Sequence, residues 1–218
     1  MVSEVAERLA AVQQRIDRAC TDAGRARDEV QLIAVSKTHP AAAIRAAYAA
    51  GQRHFGESYA QELAAKAVEL ADLADLRWHF IGRVQTNKAK LIAPLAYRVH
   101  AVHSARHARA LAGRSEGPLS VLLAVNLGQE DSKTGVSAAQ ALSVAQEVHQ
   151  TAGVQLRGLM TLPPAGEPAG PFFAALRDLA AEGRAAGLPL DELSMGMSSD
   201  YPEAIAAGAT WVRVGTGM

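Results

Sequence analysis

Among 218 residues there is one cysteine, Cys20. No intrachain disulfide can form, and a reducing, cytoplasmic setting is expected. Neither sign of charge is in excess: Lys+Arg and Asp+Glu each number 22, for a formal net charge of zero. A protein built to hold nucleic acid or an anionic membrane carries a basic surplus, so neither is expected as a partner. No apolar run is long enough to span a bilayer. The start, Met1-Val2-Ser3-Glu4, lacks the basic segment and apolar block of a secretion signal. There is no P-loop and no Gly-x-Gly-x-x-Gly opening a helix, so nucleotide binding has no support. What is present is enough apolar residue, 49%, for a full core. The length suits a single α/β barrel.

The pattern along the chain is an alternation. Val5, Leu9, Val12, Ile16 and Cys20 recur at spacings of three and four, which predicts an amphipathic helix over 3–22 ended by Gly24. Strands are then predicted at 30–36, 54–56, 77–82, 97–102, 119–126, 155–160, 192–195 and 211–214. Helices are predicted between them at 40–50, 58–71, 86–93, 104–113, 137–151, 172–186 and 200–207, with Ser137 as a cap. No linker or composition shift divides residues 1–218. The expected fold is a single-domain α/β (β/α)8 TIM-type barrel with an extra N-terminal helix.

That fold places chemistry at the carboxyl ends of the strands. Leu32-Ile33-Ala34-Val35 is an apolar, β-branched run followed at once by Ser36-Lys37-Thr38-His39-Pro40. Pro40 suits a helix start, where its missing N–H costs nothing. Lys37 is thereby expected at the end of a buried strand, desolvated, where a neutral amine can attack a carbonyl and form a Schiff base. The structural alternative is a lysine whose stem packs while its head reaches water. The loops after strands seven and eight read Gly196-Met197-Ser198-Ser199-Asp200 and Gly215-Thr216-Gly217. Small residues and hydroxyls there suit a phosphate cup. Strand eight must close against strand one, so Arg213 and Lys37 lie on neighbouring strands. A lysine, an arginine and a phosphate cup suit a phosphorylated aldehyde. Pyridoxal 5′-phosphate (PLP) meets that description, and so does the sugar phosphate of a lysine-dependent aldolase.

Other residues invite weaker readings. His100, His103 and His107 suggest a metal, but no glutamate lies between the last two as in His-Glu-x-x-His, and a surface helix face is the better reading. His79 is expected at the barrel mouth or in the core. Lys88 and Lys133 are read as solvated loop lysines, and Glu57 and Glu62 as charges that complement the start of the second barrel helix.

Several segments carry a resemblance. They are Leu32-Ile33-Ala34-Val35-Ser36-Lys37-Thr38, Phe55-Gly56-Glu57-Ser58-Tyr59-Ala60-Gln61-Glu62 and Trp78-His79-Phe80-Ile81-Gly82-Arg83-Val84-Gln85-Thr86-Asn87-Lys88, with Asp131-Ser132-Lys133-Thr134-Gly135, Gly158-Leu159-Met160, Leu193-Ser194-Met195-Gly196-Met197-Ser198 and Val212-Arg213-Val214-Gly215-Thr216 further on. The chain resembles the pyridoxal phosphate homeostasis protein family (YggS/PROSC, alanine racemase N-terminal-domain-like). The resemblance implies PLP held as a Schiff base on Lys37, with cofactor contacts at Ser58, His79, Met197, Ser198, Ser199, Arg213, Gly215 and Thr216. It implies a role in intracellular PLP homeostasis and delivery to PLP-dependent apo-enzymes, as a monomer or weak dimer with little or no turnover. The alternative is a PLP-dependent amino-acid racemase-like enzyme. Two departures stand out. The family has Asn where Ser58 stands, so a contact near the ring is lost or water-bridged. The family also continues past Gly-Thr with Ala-Ile-Phe-Gly where this chain reads Gly217-Met218, which predicts a looser end to the cup.

Overall fold

The computed structural model describes residues 2–128 and 134–215. The apolar runs form strands buried on both faces, as parallel strands covered by helices must be. Among the described residues these are β1 (Gln31–Val35), β2 (His54–Glu57), β3 (Arg77–Phe80), β4 (Ala96–Val102), β5 (Leu119–Ala124), β6 (Val154–Met160), β7 (Glu192–Ser194) and β8 (Trp211–Val214). Each pairs in parallel with the next, and β8 returns to β1 with Ile33 opposite Arg213 and Ala34 opposite Val214. The expected closed barrel is present.

The helices are α1 (Val2–Asp22), α2 (Ala41–Ala49), α3 (Ala60–Glu69), α4 (Ala89–Ile92), α5 (Ala105–Ala112), α6 (Ala138–His149), α7 (Gly170–Ala185) and α8 (Tyr201–Ala206). α1 buries Leu9, Val12, Ile16 and Cys20 and packs against both α8 and α2. It therefore fills the place in the outer ring between the last strand and the first. Gly24, at φ +65°, turns the chain out of α1, and the Arg25 N–H closes the end on the Cys20 carbonyl at 2.9 Å.

Most boundaries shift by one or two residues, and three local features differ from expectation. α3 starts two residues late, because Tyr59 is extended (φ −117°, ψ 121°). The fourth helix enters through a 3-10 turn at Thr86–Lys88, so that only Ala89–Ile92 is α-helical. Ser137 precedes α6 but makes no side-chain bond to the helix backbone; its hydroxyl bonds Gln140 Oε1 at 3.1 Å instead.

The barrel interior is unusual in composition. Such interiors are mostly Val, Ile and Leu. Here His79, His100 and Ser194 are fully buried inside, with Arg98, Trp211 and Arg213 almost so. Buried polar groups on this scale must be hydrogen-bonded to one another, and their bonds lead to the site.

Candidate cofactor-binding site

Lys37 lies on a turn, not on the strand. β1 ends at Val35, Ser36 is buried, and Lys37 is exposed. The expectation of a desolvated lysine therefore does not hold. The turn is closed by the His39 N–H on the Ser36 carbonyl at 3.0 Å. Thr38 has φ +65°, the only positive φ of a non-glycine residue among the described residues. A β-branched residue there is strained by about 1–3 kcal/mol, which persists only when the surroundings over-determine it.

Those surroundings are a buried charge cluster behind the turn. Lys66 Nζ donates to the Ser36 carbonyl (2.6 Å), Glu57 Oε1 (2.7 Å) and Glu62 Oε1 (2.7 Å). Ser36 Oγ donates to Glu57 Oε1 (2.7 Å), and the Thr38 N–H donates to Glu62 Oε1 (2.6 Å). Glu57 is 0% exposed, and burial raises its carboxyl above the usual range while Lys66 and Ser36 pull it back. Glu57 and Glu62 thus clamp the turn of Lys37 instead of merely charging a helix start. Lys66 belongs to the clamp as well; its place on the inner face of α3 is the signal that would have found it.

The loops after β7 and β8 meet beside that turn. Gly196, at φ +91°, lets the first loop fold over α8; a Cβ there would lie 2.9 Å from Tyr201 Cα. Asp200 Oδ1 accepts the Met197 N–H at 2.6 Å, and Ser198 Oγ accepts the Gly215 N–H at 3.3 Å. A Cβ at Gly215 would meet Val35 Cβ at 3.2 Å, so the β8 loop lies against the end of β1. Met197 is 36% exposed, Ser198 is half-buried and Ser199 exposed. Thr216 and the Gly217-Met218 ending lie outside the described residues, as does Lys133. Ser58 is half-buried in the connection between β2 and α3.

Arg213 is 4% exposed on β8. Its Nη1 donates to Ser194 Oγ (2.6 Å) and its Nη2 to the Thr161 carbonyl (3.1 Å). Burial lowers its guanidinium to about 10, so it stays charged near neutral pH.

His79 is not at the mouth. It is 0% exposed, with Nε2 2.8 Å from His54 Nδ1 and Nδ1 2.9 Å from His100 Nε2. Both ring nitrogens are occupied by protein, so its direct contact with a ligand is corrected to a place in the core. His100 is also fully buried in the core, whereas His103 and His107 pair with each other, their ring centroids 4.1 Å apart and their planes tilted by 42°. Among the described residues no group of three or more His, Cys, Asp or Glu side chains is placed to hold a metal. No helix of the described residues is long and apolar enough to cross a membrane.

The carboxyl ends of β7, β8 and β1 thus carry an exposed lysine two residues past Val35, loops in which a Cβ at Gly196 or Gly215 would crowd neighbouring atoms, two serine hydroxyls and, lower on β8, a buried cationic arginine. These donors fit a phosphorylated aldehyde. The chain matches the family model described as alanine racemase, N-terminal domain, over residues 8–218. Within that class it belongs to the pyridoxal phosphate homeostasis protein family. A relative of that name from Pseudomonas aeruginosa is 46% identical, across 100% of this chain and 95% of its own. Another, from Aquifex aeolicus, is 39% identical across 96% and 95%. Among solved structures, PipY of Synechococcus elongatus with PLP bound is 45% identical with a TM-score of 0.85, covering 98% of both chains. Alanine racemase from Corynebacterium glutamicum, at 19% identity, a TM-score of 0.73 and 59% of that chain, shares the fold alone.

Proposed function

We propose that the chain binds PLP at the carboxyl end of its barrel and serves in cytoplasmic PLP homeostasis, delivering the cofactor to PLP-dependent apo-enzymes as a monomer or weak dimer. The observation that carries this reading is that the loops after β7 and β8, joined by Ser198 and Gly215, lie against Val35 at the end of β1, two residues before Lys37, with Arg213 paired opposite Ile33. The name of the relatives and the PLP bound in PipY support it. Lys37 Nζ is the covalent anchor. Ser198, Ser199, Gly215 and Thr216 surround the phosphate, largely through backbone N–H groups, with Met197 beside them and Ser58 near the ring.

When bound, PLP supplies an electrophilic aldehyde and a ring that withdraws electrons once its nitrogen is protonated. Arg213 would be the residue facing that nitrogen. A guanidinium only donates, and this one keeps its charge, so it opposes a proton there. Racemisation also needs a second proton carrier on the face of Cα opposite the lysine. Tyr48 bonds Asp75, Tyr97 lies against His54 and Arg98, and Tyr201 is fully buried. Tyr59, 57% exposed at the start of α3, is the one tyrosine beside the mouth. The site therefore favours holding the cofactor over turnover. The test is an absorption spectrum: protein incubated with PLP gains a visible band that Lys37→Ala lacks. A Lys37→Ala protein that keeps the band overturns the assignment.

A further inference from the structure

Through the barrel core runs a continuous chain of hydrogen bonds. Arg213 Nη1 reaches Ser194 Oγ at 2.6 Å, Ser194 Oγ is 2.9 Å from His100 Nδ1, His100 Nε2 is 2.9 Å from His79 Nδ1, and His79 Nε2 is 2.8 Å from His54 Nδ1. It passes from β8 through β7, β4 and β3 to the first residue of β2. His54 is half-buried at the far end, and its ring meets Tyr97 and Trp211.

The chain has one consistent direction. Arginine only donates, so Ser194 Oγ accepts from Arg213. Among the described residues the partners of Ser194 Oγ are Arg213 and His100, so its own hydrogen goes to His100 Nδ1. If His100 Nδ1 carried a hydrogen instead, the buried hydroxyl hydrogen would have no acceptor, an arrangement that buried groups avoid. His100 Nδ1 is then bare. Burial, with the Arg213 and Arg98 charges, holds its ring neutral, so the single hydrogen sits on Nε2 and points to His79 Nδ1. The same reasoning puts the hydrogen of His79 on Nε2, pointing to His54 Nδ1; burial and its neighbours His100, His54, Arg98 and Arg77 keep that ring neutral too. Glu192, the carboxylate nearby, is engaged by Arg98 and by Trp211 Nε1. Every member thus turns its acceptor toward Arg213 and its donor toward His54, and hydrogen bonds aligned in this way polarise one another.

We infer that Ser194, His100, His79 and His54 are positioning residues for the ring-nitrogen end of the cofactor site, fixing the orientation and charge of Arg213 through one directional hydrogen-bond chain. This rests on the reading that Arg213 faces the pyridine nitrogen of PLP. It also gives a reason for a histidine-lined interior where aliphatic side chains would pack at less cost.

Two measurements test it. Nitrogen-15 NMR of histidine-labelled, PLP-free protein should show His79 and His100 as neutral rings protonated at Nε2 only, and Arg213→Leu, which removes the cation, should mix the tautomers. Either ring found protonated at Nδ1 in the parent protein overturns the direction and the inference. In PLP-loaded protein, His54→Leu should shift the pH at which the visible band is half lost, although His54 sits at the opposite end of the chain from Arg213. His54→Asn, whose Oδ1 can take the place of Nδ1, should restore the parental value. Ser194→Ala should shift it too and weaken PLP binding severalfold. A parent that loads normally while His54→Leu and Ser194→Ala titrate as it does refutes the positioning role alone. A parent with no visible band refutes the cofactor reading, and the positioning role with it.

Discussion

Replacing Lys66 with methionine isolates the clamp behind Lys37. The stem of the side chain keeps its packing, but the ammonium that bonds Glu57, Glu62 and the Ser36 carbonyl is gone. Glu57, at 0% exposure, is left with Ser36 Oγ as its partner through Oε1, and among the described residues its Oε2 has none to begin with. Removing one partner of a buried ion pair costs about 3–5 kcal/mol. An independent ceiling comes from protonation: a carboxyl of ordinary pKa can be neutralised for about 3.7 kcal/mol at pH 7 and about 1 kcal/mol at pH 5. The variant should therefore lose about 3–5 kcal/mol at pH 7, of which about 1 kcal/mol reflects neutral bonds lost around the turn, and about 1–2 kcal/mol at pH 5. The sign follows from linkage. Without Lys66 the folded-state pKa of Glu57 rises further above its unfolded value, so stability is retained at low pH and lost as pH rises. Urea unfolding of the parent, Lys66→Met, Glu57→Gln and the double variant at both pH values reads this out. A deficit equal at pH 5 and pH 7, or a double variant no more stable than Lys66→Met at pH 7, would refute the clamp.

Other outcomes follow from the same geometry. Burial holds His79 and His100 well below 6.5 and His54 at about 4, so the unfolded chain takes up protons first as pH falls. Stability should be full above pH 6.5 and decline below it by about 1.4 kcal/mol per pH unit for each such histidine; a flat urea midpoint between pH 7 and pH 5 would contradict this. Gly215→Val should weaken PLP binding more than Ser198→Ala does, because its branched side chain must displace Val35, which a Cβ there already meets at 3.2 Å, whereas Ser198→Ala should cost about 1 kcal/mol, the worth of one neutral hydrogen bond. Titration of PLP against each variant separates them, and equal affinities would move the phosphate elsewhere. PLP-loaded protein given L-alanine in D₂O should exchange Cα hydrogen far more slowly than ~1 s⁻¹, the low end of ordinary turnover. Faster exchange, lost in Tyr59→Phe, would make the protein an enzyme.

The barrel was legible because its strands are short apolar runs punctuated by glycine, proline and helix periodicity, and that punctuation is local. The tight loops after β7 and β8 were legible for the same reason: Gly196 and Gly215 stand where a side chain would meet neighbouring atoms. The interior was not. His54, His79 and His100 lie 25 and 21 residues apart, and only strand register brings them into one line. Phe55 and Phe80 alternate with His54 and His79, so an inward polar phase on successive strands was the available signal, but it competed with metal and mouth readings. The clamp was hidden differently. Periodicity puts Lys66 on the inner face of α3 with Ala60 and Leu63, but a lysine there is ordinarily read as solvated, and only strand and helix packing pairs it with Glu57 behind a strained turn.

The central claim is that one lysine holds the cofactor. Borohydride reduction of PLP-loaded protein, followed by intact mass and peptide mapping, tests it most directly. The reduced protein should carry one added pyridoxyl phosphate, on the peptide containing Lys37 and absent from Lys37→Ala. Label on Lys88 or Lys133 with Lys37 unmodified, or no stable adduct at all, would contradict it.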